Sequence, residues 1–147
     1  MREEDVPKGL VGRELPDFGD PPRVEPAPAS ERRVSIVSTA GLIHRGDRPF
    51  GLGSADYRVI DRDDERDLLM THLSTNFDRS GFVQDHEVVL PLQRLREAAD
   101  DGSIGDVARF HYSFMGATPP DKMRATAEQV ATTMLADGTN VALLVPV

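Results

Sequence analysis

The 147-residue sequence contains no cysteine. Disulfides, thiolate metal sites and thiol nucleophiles are therefore excluded within these residues. Positive charge is also scarce: 17 lysine and arginine side chains stand against 25 acidic ones, a net charge of −8. Nucleic acid and anionic membrane surfaces would be repelled, so neither is expected as a partner. No apolar run approaches the roughly 20 residues that span a bilayer, and the start Met1-Arg-Glu-Glu-Asp5 is too polar for a signal peptide. A cytoplasmic location is expected. There is no Walker lysine and no Gly-x-Ser-x-Gly elbow, and Gly51-Leu-Gly53 lacks the third glycine of a dinucleotide fingerprint.

What is present divides the chain in two. Six of the eleven prolines fall in the first 28 residues, so residues 1–32 read as a poorly ordered, proline-rich arm or a subunit-contact arm. From there a β-branched run, Arg33-Val-Ser-Ile-Val-Ser-Thr39, ends at Ala40-Gly41 and predicts a buried strand and a turn. Tyr57-Arg-Val-Ile60 predicts another strand, and Leu68-Leu-Met-Thr-His-Leu73 fits either a strand or a helix end. Between them, Asp61-Arg-Asp-Asp-Glu-Arg-Asp67 reads as a solvated turn, because its arginines would neutralise a cation site.

Pro91 opens a helix whose Leu92, Leu95, Ala98 and Ala99 share one face, and Gly102 stops it. A strand is predicted around Val107-Ala-Arg-Phe110. Thr118 is placed to cap a second helix, with an apolar stripe of Met123, Ala127, Val130 and Met134. Val141-Ala-Leu-Leu-Val145 is apolar on both faces, the pattern of a central parallel strand. The alternation of strands and helices predicts an α/β fold: an open, mostly parallel sheet with flanking helices, flavodoxin- or Rossmann-like. Because the chain stops at Val145-Pro-Val147, directly after its most apolar strand, that sheet is expected to be incomplete at its C-terminal side.

In such sheets chemistry gathers beyond the carboxyl ends of the strands. His44, His72 and His111 all fall near predicted strand ends, which makes them candidate proton carriers, with satisfied structural hydrogen bonders as the alternative. A three-histidine metal site is chemically conceivable, but no His-x-His or His-Glu-x-x-His pair supports it, and no metal is expected. His86 reads as a surface residue. Met115-Gly-Ala117 precedes a helix and offers backbone N–H groups for a substrate carboxylate, or simply a tight turn.

Three segments together resemble the selenoprotein B family of the glycine, sarcosine, betaine and D-proline reductases. Pro91-Leu-Gln-Arg-Leu-Arg-Glu97 resembles the family's "FPIDRL-x-EL" helix. His111-Tyr-Ser-Phe-Met-Gly116 matches its "HYSFMG" turn, and Asp137-Gly-Thr-Asn-Val-Ala-Leu-Leu-Val-Pro-Val147 resembles "DGVD-x-VLL-x-PV". Ser38-Thr-Ala-Gly41 with His44, and His72 followed by Asp78-Arg-Ser-Gly-Phe82, add weaker support. The resemblance makes residues 33–147 the N-terminal part of an α/β reductase domain.

The resemblance also implies a function. In that family the "PV" strand runs into a U-x-x-C motif, so the chain is expected to be cut at an in-frame selenocysteine codon. A nucleophilic selenocysteine or cysteine would then follow Val147. The implied reaction is reductive C–N cleavage of a small amino acid or an N-methylated or betaine-type derivative. A pyruvoyl group on a partner subunit would activate amine substrates, giving a hetero-oligomer. On this reading His111 and His72 protonate the departing amine or hold the substrate carboxylate. The 147 residues alone, lacking cysteine and selenocysteine, would be inactive. The alternative is a non-catalytic α/β binding or assembly module.

Overall fold

The computed structural model describes residues 17, 19–20, 23–64, 66–74 and 79–147. Most of the proline-rich arm, and Asp78 of the weaker motif, lie outside the described residues. The end of the arm forms a single 3-10 turn, Ala29–Glu31, which is anchored where Asn140 Nδ2 donates to the Glu31 carbonyl at 2.8 Å.

Among the described residues there are seven strands and three α-helices: β1 (Arg33–Ser38), β2 (Leu42–His44), β3 (Tyr57–Asp61), β4 (Leu68–Met70), α1 (Ser80–Gln84), α2 (Leu92–Asp100), β5 (Asp106–Val107), β6 (Phe110–Phe114), α3 (Pro120–Ala136) and β7 (Val141–Val145). β1 lies between β7 on one side and β5 and β6 on the other, all parallel to it. β3 runs antiparallel along β6, pairing Tyr57 with Phe114 and Asp61 with Phe110. The sheet is thus mixed but mostly parallel, as an α/β chain of this pattern requires. β2 and β4 form a separate antiparallel ribbon off the end of β1.

The two faces of the sheet bury different sets. On one, Ile36, Ala40, Ile60, Val89 and Leu90 form a core against which Leu92 and Leu95 of α2 and Phe82 of α1 pack. On the other, Tyr112 and Phe114 meet Val130 and Met134 of α3, with Met123 and Val37 beside them. The α2 face is as its spacing predicts, with Leu92, Leu95, Ala98 and Ala99 half-buried. In α3 the stripe holds for Met123, Val130 and Met134, whereas Ala127 is exposed. The β-branched β1 run is almost wholly buried because it has strands on both sides and helices on both faces.

As an incomplete sheet leads one to expect, β7 pairs only with β1 among the described residues, leaving Leu144 69% exposed. Three local expectations are corrected. The predicted Val107–Phe110 strand is two pieces, β5 and β6, interrupted at Ala108 and Arg109. Along this seam four residues of β1 (Val34 to Val37) lie along six of its neighbour (Val107 to Tyr112), a bulge of two residues. His111 is therefore inside a strand, not after it. Thr118 does not cap α3: its hydroxyl donates to the Ser54 carbonyl at 2.6 Å, and Pro119 occupies the cap position.

Gly41 sets the direction of the ribbon. Its φ is +66°, and a Cβ there would lie 3.0 Å from the His72 backbone nitrogen and 3.1 Å from its Cα. The tight approach lets Thr71 donate both its amide and its hydroxyl to the Gly41 carbonyl, each at 2.9 Å. Gly41→Ala should cost about 1–2 kcal/mol from the left-handed backbone alone, with the contact against His72 added. Gly81→Ala, with open space and no positive φ, should be neutral by comparison. Urea unfolding of the two variants measures the difference.

Candidate functional site at the strand ends

The carboxyl ends of β1, β6 and β7 converge on one small region. After β1, Thr39 and Ala40 turn toward β6. Gly41 N–H donates to the Phe114 carbonyl at 2.9 Å, Gly116 N–H donates to the Thr39 carbonyl at 3.0 Å, and Ala40 bridges Met115. After β7, Val147 N–H donates to Thr39 Oγ1 at 2.7 Å. Gly116 sits in the middle. A Cβ there would lie 2.7 Å from the Val147 carbonyl oxygen, 2.8 Å from the Thr39 carbonyl oxygen and 3.1 Å from His72 Nε2. Only a residue without a side chain lets these groups approach one another.

His72 reaches this region because β4 returns antiparallel to β2 and delivers the chain back to Gly41. Its ring is 3% exposed, and Nδ1 accepts a hydrogen bond from Ser74 N–H at 3.1 Å. An accepting Nδ1 leaves the proton of the neutral ring on Nε2, the atom beside Gly116. Burial, and then the charge of Arg79, push the His72 pKa below its ordinary value. The ring therefore presents a neutral N–H donor near pH 7.

The other two candidate histidines are placed elsewhere. His44 pairs with Leu68 at the far end of the ribbon, with Nδ1 3.3 Å from the Arg66 carbonyl and Nε2 3.8 Å from Asp64 Oδ2. It lines a cleft of about 510 Å³ together with Asp61, Arg62, Asp64, Arg66 and the exposed His86. The acidic turn is neutralised partly by its own arginine, Asp64 with Arg66 at 2.6 Å, and partly from outside, Asp61 with Arg109 at 2.8 Å and Asp67 with Arg45 at 2.9 Å. Hydrogen bonds from Arg66 hold the Asp64 carboxyl down at about 2. Among the described residues no group of three histidine or carboxylate side chains is arranged to hold a metal ion.

His111 has no exposed surface at all. Its Nδ1 accepts from the Ile36 N–H at 3.0 Å, and Ser35 Oγ donates to the Phe110 carbonyl at 2.8 Å. Both contacts fall in the two-residue bulge, where the β1 backbone has lost its ladder partners. The His111 ring thus substitutes for a backbone carbonyl in mid-sheet. Burial, reinforced by Arg62 and Arg96, pushes its pKa down to about 4, so it stays neutral at physiological pH.

The Met115-Gly-Ala117 turn also differs from the expected anion cradle. Met115 is buried, Gly116 N–H is spent on Thr39, and Ala117 is exposed. Pro119 at the cap and Pro120 at the first position of α3 carry no N–H. What the motif builds is the close approach at Gly116 itself. Thr39, Ser38, Ser113 and Asn140 were not singled out as functional residues, yet they close the backbone hydrogen bonding around this region. Ser113 Oγ accepts from Leu42 N–H at 2.7 Å, and Ser38 Oγ accepts from Ala40 N–H at 3.2 Å. The signal for Ser38 and Ser113 is a hydroxyl inside an otherwise apolar strand, which needs a buried partner.

The sequence profile of the glycine/sarcosine/betaine reductase selenoprotein B family matches residues 15–146. This chain belongs to that family. The chain is also similar to curated subunits of reductase complexes. The D-proline reductase subunit gamma of Acetoanaerobium sticklandii is 26% identical over 150 residues, covering 98% of this chain and 61% of the relative. The sarcosine reductase complex component B subunit beta of Peptoclostridium acidaminophilum is 26% identical, covering 83% of this chain and 30% of the relative. The glycine reductase complex component B subunit gamma of the same organism is 27% identical, with 88% and 31% covered. The chain thus spans between about a third and three-fifths of the length of these relatives. No solved structure matches it.

The His111 environment sets a pH dependence of stability. Above pH 6.5 the ring is neutral both folded and unfolded. As pH falls from 6.5 toward 4 the unfolded chain takes up a proton that the fold refuses, so stability falls by up to about 3 kcal/mol. His111→Asn keeps an acceptor for Ile36 N–H and should remove this acid loss. His111→Ala strands that N–H and should cost about 1–3 kcal/mol at pH 7. Chemical denaturation between pH 4 and pH 7 checks both.

Proposed function

We propose that this chain forms the N-terminal part of the selenoprotein B-type subunit of an amino-acid reductase complex, cleaving a C–N bond in a small amino acid or an N-methylated or betaine-type derivative. The relatives are named as subunits of D-proline, sarcosine and glycine reductases, which favours membership in a hetero-oligomeric enzyme. The observation that carries the reading is the convergence at Gly116, where the Val147 carbonyl and His72 Nε2 flank one Cα. A redox residue following Val147 would emerge at the carboxyl edge of three parallel strands, where α/β sheets carry their chemistry.

The groups present fit such a residue. Thr39, Gly116 and His72 are uncharged near pH 7 and would not oppose an anionic nucleophile. A selenolate there would supply a nucleophile that is ionised at neutral pH and also leaves readily. No residue of this chain is assigned the pyruvoyl group, which the family resemblance assigns to a partner subunit.

On this reading the chain's own residues divide the work. His72 Nε2–H donates a hydrogen bond to negative charge, on the substrate carboxylate or the nucleophile. Ser74 fixes the tautomer by occupying Nδ1. Gly116 keeps the space open. His111 acts through the sheet, holding β1 and β6 together so that their ends stay in register, and its buried ring is not placed to exchange protons with a substrate. His44 lies at the far end of the ribbon and has no part in the step.

The complete subunit, assembled with its partners, tests the assignment. His72→Ala should lower turnover by about 10²-fold, while His72→Gln, which retains an N–H donor of similar reach, should recover part of it. Turnover by His72→Ala equal to that of the parent would remove His72 from the mechanism. Absence of any amine-releasing reductase activity in the parent complex would remove the functional reading.

A further inference from the structure

Thr39 makes four contacts that tie three strands together. Its N–H donates to the Val145 carbonyl at 3.1 Å, and its carbonyl accepts from Gly116 N–H at 3.0 Å. Its Oγ1 accepts from Val147 N–H at 2.7 Å and donates to the Val147 carbonyl at 3.3 Å. The first two are backbone bonds that any residue would make. The last two belong to the hydroxyl alone.

The hydroxyl matters because of where the ladder ends. β1 and β7 pair from Val34 with Val141 to Ser38 with Val145. Beyond Ser38 the β1 backbone leaves β7 and turns to bridge Ala40 with Met115. Val147 would then have no backbone partner on β1, and a strand end without one is free to swing away from the sheet. Thr39 Oγ1 replaces the missing partner, offering an acceptor and a donor from one atom.

At its other end the same seam is closed in the same way. Asn140 Oδ1 accepts from Arg33 N–H at 2.8 Å, and Asn140 N–H donates to the Arg33 carbonyl at 3.2 Å. A side chain thus extends the β1–β7 pairing at both ends. Only the Thr39 end faces His72 and Gly116.

We propose that Thr39 is a positioning residue whose hydroxyl aims the backbone of Val147, and with it the residue that follows, at His72 Nε2. This rests on the reading that the reactive residue follows Val147. Thr39 touches neither substrate nor the reacting atoms and acts by fixing the direction in which the strand leaves the sheet. Displacement of a reacting group by about 1 Å is enough to slow a reaction about 10²-fold.

The test uses the complete subunit in its complex, with Thr39→Val and Thr39→Ser. Valine keeps the shape and both backbone bonds but lacks the hydroxyl, whereas serine keeps the hydroxyl. For each protein the readouts are kcat, KM, thermal midpoint, and the pH profile of iodoacetamide alkylation at the residue after Val147. Thr39→Val should lower kcat about 10²-fold with KM and thermal midpoint little changed, and should shift the alkylation profile. Thr39→Ser should match the parent in all four. Parent-like kcat and alkylation in Thr39→Val would overturn the proposal and leave the functional reading standing. An equal loss in Thr39→Ser would also overturn it, since shape and not the hydroxyl would then be responsible. A parent protein with no alkylatable selenol or thiol after Val147 would overturn both.

Discussion

β1 has strands on both sides and packed side chains on both faces, so its polar backbone groups are cut off from water. Every N–H and C=O along it must find a partner within the protein or cost the fold the price of a buried unpaired group. A regular sheet would meet that demand with carbonyls and amides alone. Here the neighbouring strand is interrupted for two residues, and the ladder to β7 stops where β1 turns away. Side chains fill each gap: His111 takes the Ile36 amide, Ser35 reaches the Phe110 carbonyl, Asn140 closes one end of the β7 seam and Thr39 the other. The polar residues in an otherwise apolar core are there because the sheet is irregular.

That irregularity brings the strand ends together. With the ladder broken, β1 can leave β7, cross to β6, and meet it at Gly116 within reach of both Val147 and the chain returning through His72. Three histidines that look equivalent in the sequence end up in three environments. One is sealed into mid-sheet as a backbone surrogate, one lies beside paired charges at the end of a ribbon, and one stands with its Nε2 at the strand ends. Burial and the identity of the partner at Nδ1, and not residue type, distinguish them.

Much of the fold was legible because it follows periodicity. The strands at Arg33–Ser38 and Tyr57–Asp61, the α2 face and most of the α3 stripe follow from alternating or helical spacing, and the mostly parallel sheet follows from their order. The family was legible in the His111-Tyr-Ser-Phe-Met-Gly116 block. The bulge at Ala108 and Arg109 was not, because nothing in a local pattern of apolar residues marks a two-residue register change between strands about 75 positions apart. His111 was consequently placed after a strand it lies within. Val141–Val145 has the two-faced apolar pattern of a central strand, and Leu144 stands exposed at an edge among the described residues, as an incomplete sheet leads one to expect. Thr118 has a capping signature, which is local, whereas the Ser54 carbonyl that claims its hydroxyl is 64 residues away.

On the proposed reading the β7 strand delivers a redox residue to the site formed by Thr39, Gly116 and His72. The direct measurement is peptide mapping of the subunit isolated under reducing conditions from the cells that produce it and alkylated with iodoacetamide. The expected result is a peptide that reads through Val141–Val147 into an alkylated selenocysteine or cysteine. A peptide that continues past Val147 without either residue, or a native product whose last residue is Val147, would contradict the proposed reading.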